Sequence, residues 1–220
     1  MPNIPTPEST IFFVCDLQTR FQPAIYGFDQ VVSTANKLVK LAKILGIEVL
    51  ATTQYGKVFG PVDPGVGLDT LGPLHLGTFD KTLFSMVVSE VVDILTARPH
   101  IKHVVIFGIE AQICVLQTTL SLLSLPNPPV PYIIADGTSS SNTFELPILF
   151  ERLRQEGAVV TTSESLGFQL VGTSSNPKFR EFSQYVKDYK DSTTLAGEVL
   201  LLGKAPKTEQ EASATNEQTA

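Results

Sequence analysis

The sequence predicts a three-layer α/β/α sandwich on a mostly parallel, doubly wound sheet. Two observations carry that reading. Short apolar runs rich in β-branched residues alternate along the chain with amphipathic helical patterns. The runs themselves are apolar without interruption, as strands covered on both faces are. Strand–helix alternation of this kind builds parallel sheets with right-handed crossovers. At 220 residues, with 43% hydrophobic and 17% charged residues, the chain suits one compact domain with a sizeable core.

Taken in order, the predicted strands are "IFFVCD" (11–16), "EVLATTQ" (48–54), "HVVIFG" (103–108), "VPYIIAD" (130–136) and "AVVTTSE" (158–164). After the first strand, Val31, Val32, Ala35, Leu38, Val39, Ala42 and Leu45 recur at helical spacing. Further helices are expected near 86–97, 112–124, 143–157 and 177–189. Asn142 is a candidate N-cap for the 143–157 helix, with Glu145 three residues on. Residues 55–80 are dense in Gly and Pro and read as a long loop, with a short edge strand near 77–81. Long loops inside compact domains are usually functional. Beyond the last helix, the apolar "GEVLLLG" (197–203) suits a subunit contact. Residues 204–220 have almost nothing to bury, so a disordered tail is expected after a domain spanning 1–203.

Charge and composition exclude several functions. A formal net charge of −6 and a pI near 5.1 argue against nucleic acid, which calls for clustered Lys and Arg. The longest apolar runs are too short to span a bilayer, so no membrane partner is expected. The N-terminus is polar and Pro-rich and does not read as a signal peptide. With two cysteines, Cys15 and Cys114, no disulfide framework is expected, and a reducing, cytoplasmic setting is the default.

In doubly wound sheets, ligands bind beyond the carboxyl ends of the strands. That rule selects Asp16, Asp136 and the stretch from Gly108 to Cys114. The turn after the first strand, "CDLQTRF", has no glycine, so the dinucleotide fingerprint is absent and no cofactor is expected. Asp16 is either a functional carboxylate or a cap. Strand alternation puts Cys15 on the face opposite Asp16, as a core residue. Cys114 is either a small buried hydrophobe or a nucleophile. Its place at a helix N-terminus favours thiolate, and the unpaired N–H groups there suit a developing oxyanion. Two histidines, His100 and His103, lie at the amino edge of the sheet, and nothing aims His75 at the thiol; a Cys–His pair is not expected. The three are not spaced as metal ligands either. Lys81, in a largely apolar run, either faces solvent or supplies a positive charge.

At these residues the chain resembles the isochorismatase-like cysteine hydrolases, from about Thr10 to Asp188. The first motif of that superfamily appears as Asp16, Gln18 and Phe21, the lysine motif as Lys81 in "DKTLFSM", and the nucleophile motif as Gly108 followed by Cys114. "GIEAQICVLQTTLSLL" and "TTSESLGFQLVG" look closest to the eukaryotic isochorismatase domain-containing proteins. The resemblance implies the isochorismatase-like, Rossmann-like sandwich and an Asp16–Lys81–Cys114 triad. It also implies a cis peptide between Ile109 and Glu110, with the Glu110 and Cys114 amides as oxyanion hole. Nicotinamidases of this superfamily carry an Asp-x-His metal pair after the second strand. Here that region reads "TTQYGKVFG", so no metal is expected. Isochorismatases that hydrolyse a vinyl ether need no nucleophilic cysteine, so Cys114 points instead to an amide-type C–N bond of a small molecule. Phe21, Tyr55, Phe84 and Ile113 are candidate pocket walls. Gln18 and Gln54 either bind substrate or satisfy buried backbone. The alternative to a hydrolase is an oligomeric interaction protein that keeps the fold; a homo-oligomer is expected on either reading.

Overall fold

A computed structural model describes residues 4–204 of the chain. Six strands form one sheet: β1 (Thr10–Cys15), β2 (Glu48–Gln54), β3 (His75–Lys81), β4 (His103–Gly108), β5 (Val130–Thr138) and β6 (Val159–Thr161). Their order is β3-β2-β1-β4-β5-β6, and every pairing is parallel. The chain winds outward from β1 to β3, then returns to begin the other half at β4. The strand order therefore reverses between β1 and β4. A crevice opens at such a reversal because the flanking crossovers leave on opposite faces.

Eight α-helices cover the described residues: α1 (Phe28–Leu45), α2 (Gly56–Phe59), α3 (Ser89–Thr96), α4 (Leu116–Leu123), α5 (Glu145–Gln155), α6 (Ser163–Val171), α7 (Phe179–Asp188) and α8 (Lys190–Ala196). Alternation along β1 splits the core in two. Phe12 and Val14 face α1 and the C-terminal helices. Ile11, Phe13 and Cys15 face the layer that holds α4 and α5. Every residue of β1 is buried, which explains its unbroken apolar sequence. A fully buried Phe or Val side chain is worth roughly 1.5–3 kcal/mol of transfer free energy, so this central strand anchors both layers.

Local differences from expectation have identifiable causes. The Gly/Pro-rich stretch after β2 is not one loop. It holds α2, the 3₁₀ turns Pro64–Val66 and Leu68–Leu74, and then β3. Its glycines serve the positive φ values at Gly60, Gly67 and Gly72, where a side chain would be strained. The helix expected at 112–124 begins as a π-helical turn, Ala111–Val115, before α4. Asn142 does not cap α5: the helix starts at Glu145 with Phe144 at its N-cap, and the Asn142 amide donates to Ser140 Oγ instead. The strand expected over 158–164 is shorter, because Thr162 caps α6 through its side chain.

The apolar "GEVLLLG" segment also departs from expectation in part. Val199 and Leu200 are buried in the chain's own core, and the Tyr26 hydroxyl donates to the Val199 carbonyl. Leu201 and Leu202 alone of its leucines stay exposed. Of the expected tail, residues 205–220 lie outside the described residues.

Candidate active site

Asp16 directly follows β1, and its φ of 48° is left-handed. That reversal breaks the strand's alternation. The expectation that Cys15 faces away from Asp16 therefore fails: Cys15 Sγ lies 3.8 Å from Asp16 Oδ2. Cys15 is nonetheless buried, and it shares its cluster with Cys114. Burial, the Cys114 side chain and the Asp16 charge all push the Cys15 thiol well above its ordinary pKa.

Lys81, the last residue of edge strand β3, does not face solvent. Its side chain is buried and its Nζ lies 2.7 Å from Asp16 Oδ2. The same ammonium donates to Gln54 Oε1 at 2.7 Å and to the carbonyls of Leu83 and Phe84 at 3.2 and 3.1 Å. It stands 3.7 Å from Cys114 Sγ. Burial alone would lower its pKa; its interactions with Cys15, Asp16 and Cys114 outweigh burial and raise it. Asp16 Oδ1 accepts from Thr52 Oγ1 at 2.8 Å. Asp16 thus has a partner on each oxygen, which offsets the cost of burying a carboxylate.

Cys114 lies within the π-helical turn that follows β4. Gly108 ends β4 with φ of 128°, and a Cβ there would lie 2.1 Å from the Cys15 carbonyl oxygen. Glycine alone allows β1 and β4 to approach so closely, and that approach puts the turn bearing Cys114 beside the end of β1. The peptide between Ile109 and Glu110 is cis. Glu110 Oε2 accepts from Gln112 Nε2, the Ser140 and Ser141 hydroxyls and the Ser141 amide. Partial burial would raise the Glu110 pKa, but these donors, the Ser141 amide first, bring it below the ordinary glutamate value.

A cavity of about 190 Å³ opens at this point, over the carboxyl ends of β1, β2 and β4. Phe21, Phe59, Phe84, Ile109 and Ile113 form its apolar walls; Asp16, Gln54, Glu110 and Cys114 supply its polar surface. Phe21 and Phe59 stack with centroids 4.6 Å apart. Two candidate substrate-contacting residues, Gln18 and the wall candidate Tyr55, lie elsewhere. Gln18 is fully buried; its Oε1 accepts from the Gln54 amide, and its Nε2 donates to the Gln54 and Gly60 carbonyls. It secures the loop instead of lining the cavity. Tyr55, with φ of 46°, leads into α2 and is half exposed. Sequence reasoning missed Thr52, Phe59 and Ile109. A hydroxyl near the carboxyl end of a central strand, next to Thr53 and Gln54, was the available signal for Thr52. Phe59 carried none, since its place depends on how the loop folds.

Asp136 belongs to a separate buried cluster on the α1 side of the sheet. It accepts from the amide and hydroxyl of Ser163 at the start of α6 and lies 4.0 Å from Lys37 Nζ. His103 is buried at the amino end of β4 with Ser9, and His75 starts β3. Among the described residues, no group of three or more His, Cys, Asp or Glu could hold a metal ion.

Comparison with known proteins agrees with this architecture. An Isochorismatase domain model matches residues 10–165. The chain is 38% identical over 200 residues to isochorismatase domain-containing protein 2 of Macaca fascicularis, covering 91% of this chain and 93% of that protein. Among solved structures, MAR1 ribonuclease from Caenorhabditis elegans is 35% identical, with TM-score 0.78 over 84% of this chain and 92% of that one. An octameric hydrolase of unknown specificity from Escherichia coli, YcaC, shares the fold at 18% identity, with TM-score 0.74 over 88% of this chain and 96% of its own. The chain belongs to the isochorismatase family.

Proposed function

We propose that the protein is a cysteine hydrolase that cleaves an amide-type C–N bond of a small molecule through a thioester on Cys114. One observation carries the reading: a single buried ammonium, Lys81 Nζ, touches Asp16 at 2.7 Å and stands 3.7 Å from Cys114 Sγ, and both partners line one cavity at the strand-order reversal. A cation beside a thiol lowers the cost of forming thiolate there, and the proton that leaves sulfur is assigned to Asp16 in this reading.

The thiolate adds to the substrate carbonyl carbon, and the carbonyl π electrons move onto oxygen. The backbone amides of Glu110 and Cys114 are the proposed donors to that oxyanion; each such donor is worth roughly 3–4 kcal/mol in comparable sites. Collapse of the intermediate breaks the C–N bond, and Asp16 returns its proton to the departing amine. A water then attacks the thioester while Asp16 accepts its proton. The C–S bond breaks, the acid leaves, and the proton returns to sulfur. Lys81 stays protonated throughout, consistent with its raised pKa.

RNA cleavage, the activity in the C. elegans relative's name, draws no support from this chain's charge. Its net charge is −6, and among the described residues no Lys or Arg lines the cavity, whereas phosphate backbones need clustered cations. A small-molecule substrate fits better. The test is a turnover screen over small amides and carbamoyl compounds, with intact-mass detection of the acyl-enzyme. Wild type should turn over at least one and show an adduct on Cys114. Cys114→Ala and Asp16→Asn should fold normally and lose turnover by about 10³-fold or more. A folded Asp16→Asn protein with full activity would remove Asp16 from the mechanism.

A further inference from the structure

The cavity beside Cys114 has an unusual balance of charge. Among the residues lining it are two carboxylates, Asp16 and Glu110, and no Lys or Arg. The nearest ammonium, Lys81, is committed to Asp16, Gln54 and two backbone carbonyls. It has no N–H left for an anionic substrate.

Glu110 differs from Asp16 in how its oxygens are used. All four of its side-chain hydrogen bonds go to Oε2. Oε1 accepts none from the described residues, although the group is held in its ionised form by those donors. Gln112, which donates its amide to Oε2, leaves its own carbonyl oxygen buried with no partner. An amide flip would set that oxygen against the carboxylate, so the orphan is an acceptor. Gln112 stands behind Glu110 and does not line the cavity, so Glu110 is the residue that brings an uncommitted carboxylate oxygen to the lining. A fixed, partly buried negative charge with an open lone pair binds cations and N–H groups and repels anions.

We propose that Glu110 sets specificity: the substrate is a small, predominantly apolar molecule bearing a cationic or N–H-rich group, and lacks a carboxylate or phosphate near its scissile bond. The inference rests on the proposed hydrolase reading for the word substrate, but the pocket's preference is a binding property that stands apart from turnover. Size narrows the class further. An apolar cavity of about 150 Å³ accommodates benzene, so about 190 Å³ suits one ring or a short branched chain with one polar substituent. Phe21, Phe59 and Phe84 supply the surface for such a ring.

Benzamidine, benzamide and benzoate form a nearly isosteric series that differs in charge. Their affinities are to be measured by titration calorimetry on the folded full-length protein and on Glu110→Gln. Wild type is expected to bind benzamidine at least as tightly as benzamide, and benzoate at least tenfold more weakly than either. In Glu110→Gln the gap between benzamidine and benzoate should shrink at least tenfold. Benzoate binding as well as benzamide in wild type would overturn the proposal, as would failure of all three to bind. A gap unchanged in folded Glu110→Gln would overturn the role of Glu110. Cys114 acylation, measured in parallel, separates this result from the hydrolase reading. The predicted order with an inert Cys114 sinks only the hydrolase, and a reactive Cys114 with benzoate preferred sinks only the specificity.

Discussion

Cys15 and Cys114 lie on the same face of the sheet and in one buried cluster, yet their surroundings differ in the way that matters for reactivity. Cys114 borders the cavity and retains 5% of its surface, while Cys15 retains none. An ammonium stands 3.7 Å from Cys114 Sγ. Cys15 instead meets the Asp16 carboxylate at 3.8 Å, and burial with that charge suppresses its ionisation. Since the thiolate is the species that alkylates, brief iodoacetamide treatment at pH 7 should modify Cys114 at least tenfold faster than Cys15. Peptide mass spectrometry reads both sites in one sample. Equal, slow labelling, or Cys15 first, would make Cys114 an inert core thiol. Asp16 itself was legible in the sequence, because a carboxylate ending an apolar strand is costly to bury without purpose. Its left-handed φ was not legible. Period-two alternation held through Cys15, which sits in the core with Ile11 and Phe13 as expected, and failed one residue later, which is why Asp16 was expected on the wrong side.

At the scale of elements, the site depends on how closely β1 and β4 approach. The register runs Val14 to Phe107 and Cys15 to Gly108, and β4 then turns into the π-helical segment holding Cys114. A methyl group at Gly108 would lie 2.1 Å from the Cys15 carbonyl oxygen, and within 2.9 Å of two more backbone atoms. Backbone of a fully buried central strand cannot step aside as a surface side chain does. Gly108→Ala should therefore lose at least about 3 kcal/mol, from positive-φ strain and overpacking together. That corresponds to a melting temperature lower by about 6–12 °C for a domain of this size. A folded Gly108→Ala protein melting within a degree or two of wild type would show that the strands can separate at this point. Elements with strong periodicity were legible, since β2 and β4 run over the residues expected from their apolar character. The Gly/Pro-rich region was not. Its first 3₁₀ turn combines a local cap, Asp63 accepting from the Gly65 amide, with tertiary bonds from Asn36 to the carbonyls of Gly65 and Val66, and no periodic pattern announces contacts of the second kind.

For the whole molecule, one group of exposed apolar residues adjoins the cavity, which Phe84 lines. Leu83 is 60% and Phe84 50% exposed, and Tyr55 and Val58 beside them are half exposed. These residues belong together: Leu83 and Phe84 give their carbonyls to Lys81, the Tyr55 amide donates to the Lys81 carbonyl, and Val58 adjoins Phe59 in α2. Isolated exposed hydrophobics need no explanation, but a group of them held together by shared backbone hydrogen bonds suits a contact surface. A second copy of the chain is the occupant we expect. This group then becomes a subunit contact in place of most of the "GEVLLLG" segment, whose Val199 and Leu200 are used internally. Sedimentation equilibrium should return an integral multiple of 23.9 kDa at micromolar concentration. Leu83→Glu and Val58→Glu should each shift the population toward monomer without lowering the melting point of the separated chain, since neither side chain is in the core. A wild-type mass of one chain at every concentration, or variants that assemble as wild type does, would leave this group open to solvent and would return assembly, if any, to another face.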